Sequence, residues 1–249
     1  MEVHHPHHPT HKKKWTEYLL EFLMLFCAVT LGFVAENVRE HSIEKEREKQ
    51  YMESFVADLE SDLTNLKEGI PRKVARLQAI DTLFRYFKEH KGVTEVPAII
   101  VKKMKRTAYD RSYVRNSTTI NQLKNSGGLR LIRNKKVADS IAYYDWRWSR
   151  AEYWHDNYIT MQKDNGTLNE KIIDANDIIG YYINNDSISN ENSTPPTGII
   201  HIHREHLNEY LNLLTRQYYM TKLDKDFYEK VITMTANLSQ LIKKEYKIE

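Results

Sequence analysis

Residues 18–35 read YLLEFLMLFCAVTLGFVA, an apolar run with one charge, Glu21, between Lys12-Lys13-Lys14 on one side and Glu36, Arg39 and Glu40 on the other. At about 1.5 Å per residue, this run covers roughly 27 Å as a helix, close to the thickness of a bilayer's hydrocarbon core. Its strongly apolar side chains contribute roughly −3 to −6 kcal/mol to insertion. A carboxylate at the bilayer centre costs around 3 kcal/mol, but Glu21 sits one turn from the entrance and can reach the headgroups. Trp15 and Tyr18 add interfacial aromatics on that side. The pattern predicts a transmembrane anchor over 15–38. Two other readings compete. A cleaved signal peptide also has a basic start and an apolar run, but no small-residue cleavage pattern follows this one. A buried core helix is the other, yet 22–35 is apolar on all faces and continues into charged, helix-favouring sequence.

Beyond the anchor the periodicity is helical. Residues 39–50 alternate in charge, with Lys45–Glu48 and Glu46–Lys49 at i,i+3. Met52, Val56, Leu59, Leu63, Leu66 and Ile70 then fall four and three apart, with Phe55 widening the stripe. That is either a short self-associating coiled coil or the buried face of a bundle helix. Gly69-Ile70-Pro71 predicts a break: a glycine stop followed by a proline that opens the next helix. Val74, Leu77, Ile80, Phe84 and Phe87 form one stripe over 72–89, so the pair reads as a helical hairpin. A loop over 91–97 and a short basic helix over 98–109 follow. Ser117 or Thr118 is positioned to cap another short helix, which Gly127 or Gly128 ends in the left-handed conformation. A helix from near Asn134 to about Lys163 carries Val137, Ile141, Tyr144 and Trp148, then Trp154, Tyr158 and Met161. The pattern continues with a helix to about Asn184, a polar loop over 185–198 containing Pro195-Pro196, and two final helices over roughly 203–221 and 224–246. The expected core includes Phe55, Leu59, Leu63, Phe84, Leu131, Ile141 and Trp148.

The expected fold is thus all-α, an N-terminal transmembrane helix continuing into a juxtamembrane helix and an extramembrane helical bundle. The segments are a disordered His/Lys-rich tail (1–14), the anchor (15–38), the juxtamembrane helix (39–70) and an α-helical domain (71–249). Only 8 glycines and 6 prolines disfavour a turn-rich all-β fold. The sole cysteine, Cys27, lies inside the apolar run, which excludes an intramolecular disulfide and a thiolate metal cage.

The net charge of +3 conceals an uneven distribution. Between Lys102 and Arg150 lie thirteen Lys/Arg against three acids, Asp110, Asp139 and Asp145. Tyr109, Tyr113, Tyr143, Tyr144, Trp146 and Trp148 are interleaved with them, a composition able to grip phosphates and stack on bases or to meet anionic lipid. The competing reading puts the aromatics in the core, with Arg147 or Arg150 lying over them. The best metal candidate is the run from His201 to His206: His203 and His206 one helical turn apart, with Glu205 nearby. It lacks HExxH spacing, and a third ligand would have to come from elsewhere. Five histidines in the N-terminal tail offer at most an adventitious metal site. Glycine-rich phosphate loops, GxSxG and Ser-His-Asp or Cys-His pairings are absent from the sequence. No catalytic, cofactor-binding or metal residue is therefore assigned, and no cofactor is expected.

The stretch HKKKWTEYLLEFLMLFCAVTLGFVAENVREHSIEKEREKQYMESFVADLESDL and the later TTINQLKNSGGLRLIRNKKVADSIAYYDW resemble an uncharacterised bacterial family of single-pass, membrane-anchored helical proteins. Together they cover about a third of the chain. The resemblance implies one transmembrane helix and a mostly helical domain; it carries no activity. The reading is a scaffold, sensor or interaction module in a bacterial envelope. Its alternative is an envelope enzyme with an unrecognised site between Trp146 and His155 or between His201 and His206. The partners expected are the lipid bilayer through residues 15–38 and a membrane or envelope protein, with a homo-oligomer as a further option through Ala28 and Gly32. Nucleic acid is not expected. Lys/Arg counts flanking the anchor are nearly tied; the compact Lys12–Lys14 cluster favours an inner-membrane protein with a cytoplasmic N-terminus.

Overall fold

The computed structural model describes residues 14–111, 113–184 and 198–248, without the side chains of Trp154, Asp156 and residues 180–184. The tail before Lys14, the loop expected over 185–197 and the placement of Trp154 lie outside the described residues. The fold is all-α. Its helices are α1 (Trp15–Glu89), α2 (Ala98–Ala108), α3 (Thr118–Asn125), α4 (Lys135–Ile172), α5 (Ala175–Asn184) and α6 (Leu207–Tyr246), with a 3-10 turn at Gly128–Leu131. Two short strands, β1 (Glu95–Pro97) and β2 (Ile199–His201), pair antiparallel with Val96 opposite Ile200. The chain divides into two compact units, Met1–Gln50 and Tyr51–Glu249.

In the first unit, α1 is a helix whose side chains from Lys14 to Ile43 are all exposed. Thr30, inside the apolar run, donates its hydroxyl to the Phe26 carbonyl at 2.8 Å and so needs no partner outside the helix. Beyond the run, Arg39 bonds both carboxylate oxygens of Glu36, at 3.0 and 2.6 Å.

The second unit is organised by a heptad-like seam on each of three helices. On α1 the seam positions are Met52, Phe55, Leu59, Asp62, Leu66, Gly69, Lys73, Arg76, Ile80, Leu83 and Phe87, three or four apart, with Val56 and Ala79 buried beside them. On α4 they are Val137, Ile141, Tyr144, Trp148, Tyr158, Gln162, Asn165, Asn169 and Ile172, with half-buried Ala151 and His155 completing the spacing. On α6 they run Tyr210, Leu214, Gln217, Thr221, Tyr228, Val231, Thr235, Leu238 and Ile242, with half-buried Asp224 in step. Seams of this period pack side by side. Asp62 meets Tyr144 and Lys73 meets Tyr158, so α1 and α4 run parallel. Lys73 meets Asp224 and Glu60 meets Lys243, so α6 runs antiparallel to both. Each helix is mostly apolar at the two ends of the bundle and polar in a shared middle layer.

Three expectations fail here. The hairpin at Gly69-Ile70-Pro71 does not form: α1 is continuous with Pro71 inside it. Gly69 is not a stop. A Cβ there would lie 3.0 Å from Tyr228 Cε2, so the glycine lets the aromatic ring approach the helix. Packing of the seam on both sides of Pro71 outweighs its cost to the helix, about 3 kcal/mol. The compact unit thus takes in residues 51–70, which the sequence assigned to a separate juxtamembrane helix. The two final helices are one, because Thr221 and Asp224 belong to the buried seam rather than to a loop. The anticipated stripe on α1 is correct only in part: Met52, Val56, Leu59, Leu66, Ile80 and Phe87 are buried, but Leu63, Ile70, Val74, Leu77 and Phe84 are only half-buried, and the seam passes through their predecessors. Of the expected core, Phe55, Leu59, Ile141 and Trp148 are buried, whereas Leu63, Phe84 and Leu131 are half-buried.

The smaller elements close the ends. Ile100, Val101 and Met104 of α2 enter one core cluster, and Ile120 and Leu123 of α3 the other. Gly127 takes φ +68° and ends α3, as its position after the helix requires. The cap at the start of α3 is supplied differently from the expectation. Neither Ser117 nor Thr118 caps it. Asp58 of α1 accepts the Thr119 N–H at 2.9 Å, and Asn116 accepts that of Thr118 at 3.2 Å.

Candidate functional site

The most chemically loaded place in the molecule is the polar middle layer of the bundle. Lys73, 1% exposed, donates to Asp110 Oδ2 at 2.6 Å and to Asp224 Oδ2 at 3.1 Å. Its ammonium also lies over the rings of Tyr158 and Tyr228, at 5.2 and 5.4 Å from their centroids. The Tyr158 hydroxyl donates to Asp110. The 109–110 peptide is held at both ends: Arg76 Nη1 donates to the Tyr109 carbonyl at 3.0 Å, and Gln162 Oε1 accepts the Asp110 N–H at 2.9 Å.

Electrostatics fix the ionisation states. Burial alone would lower the Lys73 ammonium, but Tyr158, Asp110, Asp224 and Tyr228 outweigh it and hold Lys73 above its ordinary value. Burial pushes the Asp110 carboxyl up, yet Lys73 and Arg76 more than compensate and keep it below the usual range. Asp224 is raised, because burial there exceeds what Lys73 returns. A lysine held charged between carboxylates offers no free amine to attack a carbonyl. The arrangement is that of a buried ion pair with its remaining hydrogen bonds largely internal.

About three helical turns earlier on α1, Asp62 is fully buried. It accepts the hydroxyls of Tyr113 and, at 2.7 Å, Tyr144, together with the Asn116 N–H at 2.7 Å. Burial raises its carboxyl, and these donors only partly offset that. Tyr228 accepts the Tyr113 N–H at 2.8 Å, and Asp58 accepts Asn116 Nδ2 at 2.7 Å. Polar groups of the chain between α2 and α3 are thus answered by side chains of α1, α4 and α6. None of Asp62, Lys73, Arg76, Asp110 or Asp224 was singled out by sequence reading as part of a site. The one available signal was that Asp62, Lys73 and Arg76 lie in the same 3–4 register as Phe55, Leu59, Leu66 and Ile80.

The basic block between Lys102 and Arg150 divides. Arg115 is buried against Asp145 (2.8 Å) and Glu152 (3.1 Å), and Lys124 reaches Asp145 at 2.6 Å. Tyr113 is half-buried against the core, and Tyr144 and Trp148 are part of it. Arg147 lies over Phe227 at 5.8 Å. Tyr109, Tyr143 and Trp146 are exposed, with Arg150 stacked 5.3 Å from the Trp146 ring. Half of the aromatics are thus structural and several of the cations are spent internally. No family model, curated protein or solved structure matches the chain.

The run from His201 to His206 is not helical as expected. The N–H groups of Ile202 and His203 are committed to Thr94 O (2.8 Å) and Ile172 O (2.7 Å), which holds these residues out of a helix, and a turn at Glu205-His206 leads into α6 at Leu207. The three histidines are consequently dispersed. His201 Nδ1 lies 2.8 Å from Asp177, His203 Nε2 lies 3.8 Å from Asp174, and His206 Nδ1 lies 3.3 Å from Glu209. The hydrogen bond and charge of Asp177 raise His201, while the backbone N–H and imidazole of His201 lower Asp177. Among the described residues, no group of three or more His, Cys, Asp or Glu is placed to hold a metal ion. Ala28 and Gly32 both lie on the exposed helix of the first unit, and nothing stands within 4 Å of a Cβ built at Gly32.

Proposed function

We propose that the protein is a single-pass membrane protein of a bacterial envelope whose helical domain acts as a scaffold, sensor or interaction module. The observation that carries the reading is the apolar segment of α1. Its 18-residue window has mean hydropathy 2.1, and none of it is buried against protein. A helix apolar on every face and packed on nothing is suited to lipid rather than to a core or to water. Orientation follows the compact lysine cluster, with the N-terminus in the cytoplasm and the domain beyond the inner membrane. The scaffold reading draws its support from the domain's ion pairs. Lys73, Asp110, Asp224 and Arg115 are engaged in holding elements together, and Lys73 is kept in the protonated form a nucleophile would have to leave. The working partner is another membrane or envelope protein.

The test is extraction of native membranes followed by partner capture. The full chain remains in the pellet after high-salt and alkaline washing, since apolar burial responds to neither. In-membrane cross-linking then recovers a defined protein partner. Release by alkaline carbonate contradicts the anchor. Turnover of an envelope substrate in the absence of a partner contradicts the scaffold.

A further inference from the structure

A cavity of about 450 Å³ opens where the end of α4, the β2–α6 connection and Thr94 meet. The side chains that give it chemical character are Lys171, His203, Arg204 and His206, the hydroxyl of Thr94, and a single acid, Glu205. Its wall is fixed by backbone bonds rather than left to a loose loop: Ile202 N–H to Thr94 O, His203 N–H to Ile172 O, and Leu207 N–H to Arg204 O at 3.1 Å. The carbonyl of Ile172 at the end of α4 is occupied by His203 and does not face a ligand as a free acceptor. His203 and His206 each approach a carboxylate outside the cavity through one ring nitrogen, Nε2 and Nδ1 respectively. The other nitrogen of each ring is uncommitted among the described residues. Two permanent cations and a hydroxyl against one carboxylate in the lining form a donor-rich site.

We infer that this cavity binds a small phosphate monoester, with the phosphate held by Lys171 and Arg204 and a further donor from Thr94. The Lys171 ammonium, the Arg204 guanidinium and the Thr94 hydroxyl together suit the three terminal oxygens of a monoester better than the two of a carboxylate, and Arg adds a planar fork for paired bonds. The volume lies in the range of small-ligand sites and leaves room for a short polar body beside the phosphate. The site is independent of the membrane-anchored scaffold reading and survives its failure.

The experiment uses the full chain in neutral-detergent micelles, with glycerol 3-phosphate as probe and dimethyl phosphate as the diester counterpart. Binding is read by calorimetry and phosphorus NMR, with sodium chloride at matched ionic strength as reference. Saturable binding of the monoester is expected. Each of Arg204→Ala and Lys171→Ala should weaken it about ten-fold or more. Both residues are exposed, so the unliganded thermal midpoint should stay unchanged, which separates lost binding from lost folding. Equal binding of the diester assigns the site to phospholipid headgroups and overturns the monoester assignment. A response no larger than chloride's, or full binding retained in the double variant, overturns the site altogether.

Discussion

At the scale of single residues, charge rather than apolar bulk occupies the middle of the bundle. Lys73 is held between two carboxylates and two aromatic rings, so Lys73→Met keeps its length and removes what balances Asp110. Breaking a buried pair from one side costs about 3–5 kcal/mol, and that loss is expected in chemical denaturation of the full chain in micelles at neutral pH. Its pH dependence has a definite sign. Asp110 lies below its ordinary range, so the pair's contribution is complete above that range and fades as the pH falls through the depressed value. The variant's deficit should therefore shrink on acidification as the abandoned carboxylates take up protons. A deficit independent of pH would show that Lys73 acts by packing alone. Asp58→Ala removes the carboxylate that caps α3 from α1, and a loss of about 0.5–2 kcal/mol is expected in the same measurement. The equivalent change at Ser117, which forms no capping bond, should have little effect. None of these roles was legible in the sequence. A carboxylate that caps a neighbouring element and a lysine that pairs across 151 positions look like solubilising charges when read along the chain.

At the scale of elements, most helices were legible, and their phase was legible on α4 and only in part on α1. Apolar positions at helical spacing marked α1 and α4, and the region of α6 was expected as two helices. The stripe chosen on α1 held buried Met52, Leu59, Leu66, Ile80 and Phe87 but also took in Leu63, Val74 and Leu77, because they are the apolar residues of their turns. The true seam lies at Phe55, Asp62, Lys73 and Arg76, where tertiary pairing overrides side-chain polarity. The same preference for local signals placed a turn at Gly69-Ile70-Pro71. There the account makes opposed predictions for two neighbours. Pro71→Ala restores a helix donor and removes a ring, so the domain should gain stability, by up to about 3 kcal/mol. Gly69→Ala gains helix propensity yet forces a Cβ against Tyr228, whose ring lies under Lys73 and whose hydroxyl is bonded to Tyr113; a net loss of about 1 kcal/mol is expected. A stabilising Gly69→Ala together with a destabilising Pro71→Ala would mean that the helix does break here. The β1–β2 ribbon escaped notice because three-residue strands show no measurable alternation. It also bears on the histidine run: His201 lies in the ribbon, Ile202 bonds Thr94 beside it, and His203 is held out of α6 by its bond to Ile172 of α4.

At the scale of the whole molecule, composition and one apolar run were enough to indicate an all-α chain with a segment suited to a bilayer. They did not reveal the donor-rich cavity at the β2–α6 connection, whose residues come from separate parts of the chain. The central claim, that residues 18–35 lie in lipid, has a native probe: Cys27 is the only cysteine in the sequence and projects from the middle of that run. Its thiol is exposed on the helix surface, so protein burial does not shield it there, whereas hydrocarbon denies it the water that thiolate chemistry requires. Native membranes carrying the full chain are treated with a membrane-impermeant maleimide before and after denaturation in detergent. The account predicts no labelling in intact or mechanically opened membranes and complete labelling once the bilayer is dissolved and the chain denatured. Rapid labelling of Cys27 in mechanically opened, detergent-free membranes would contradict it.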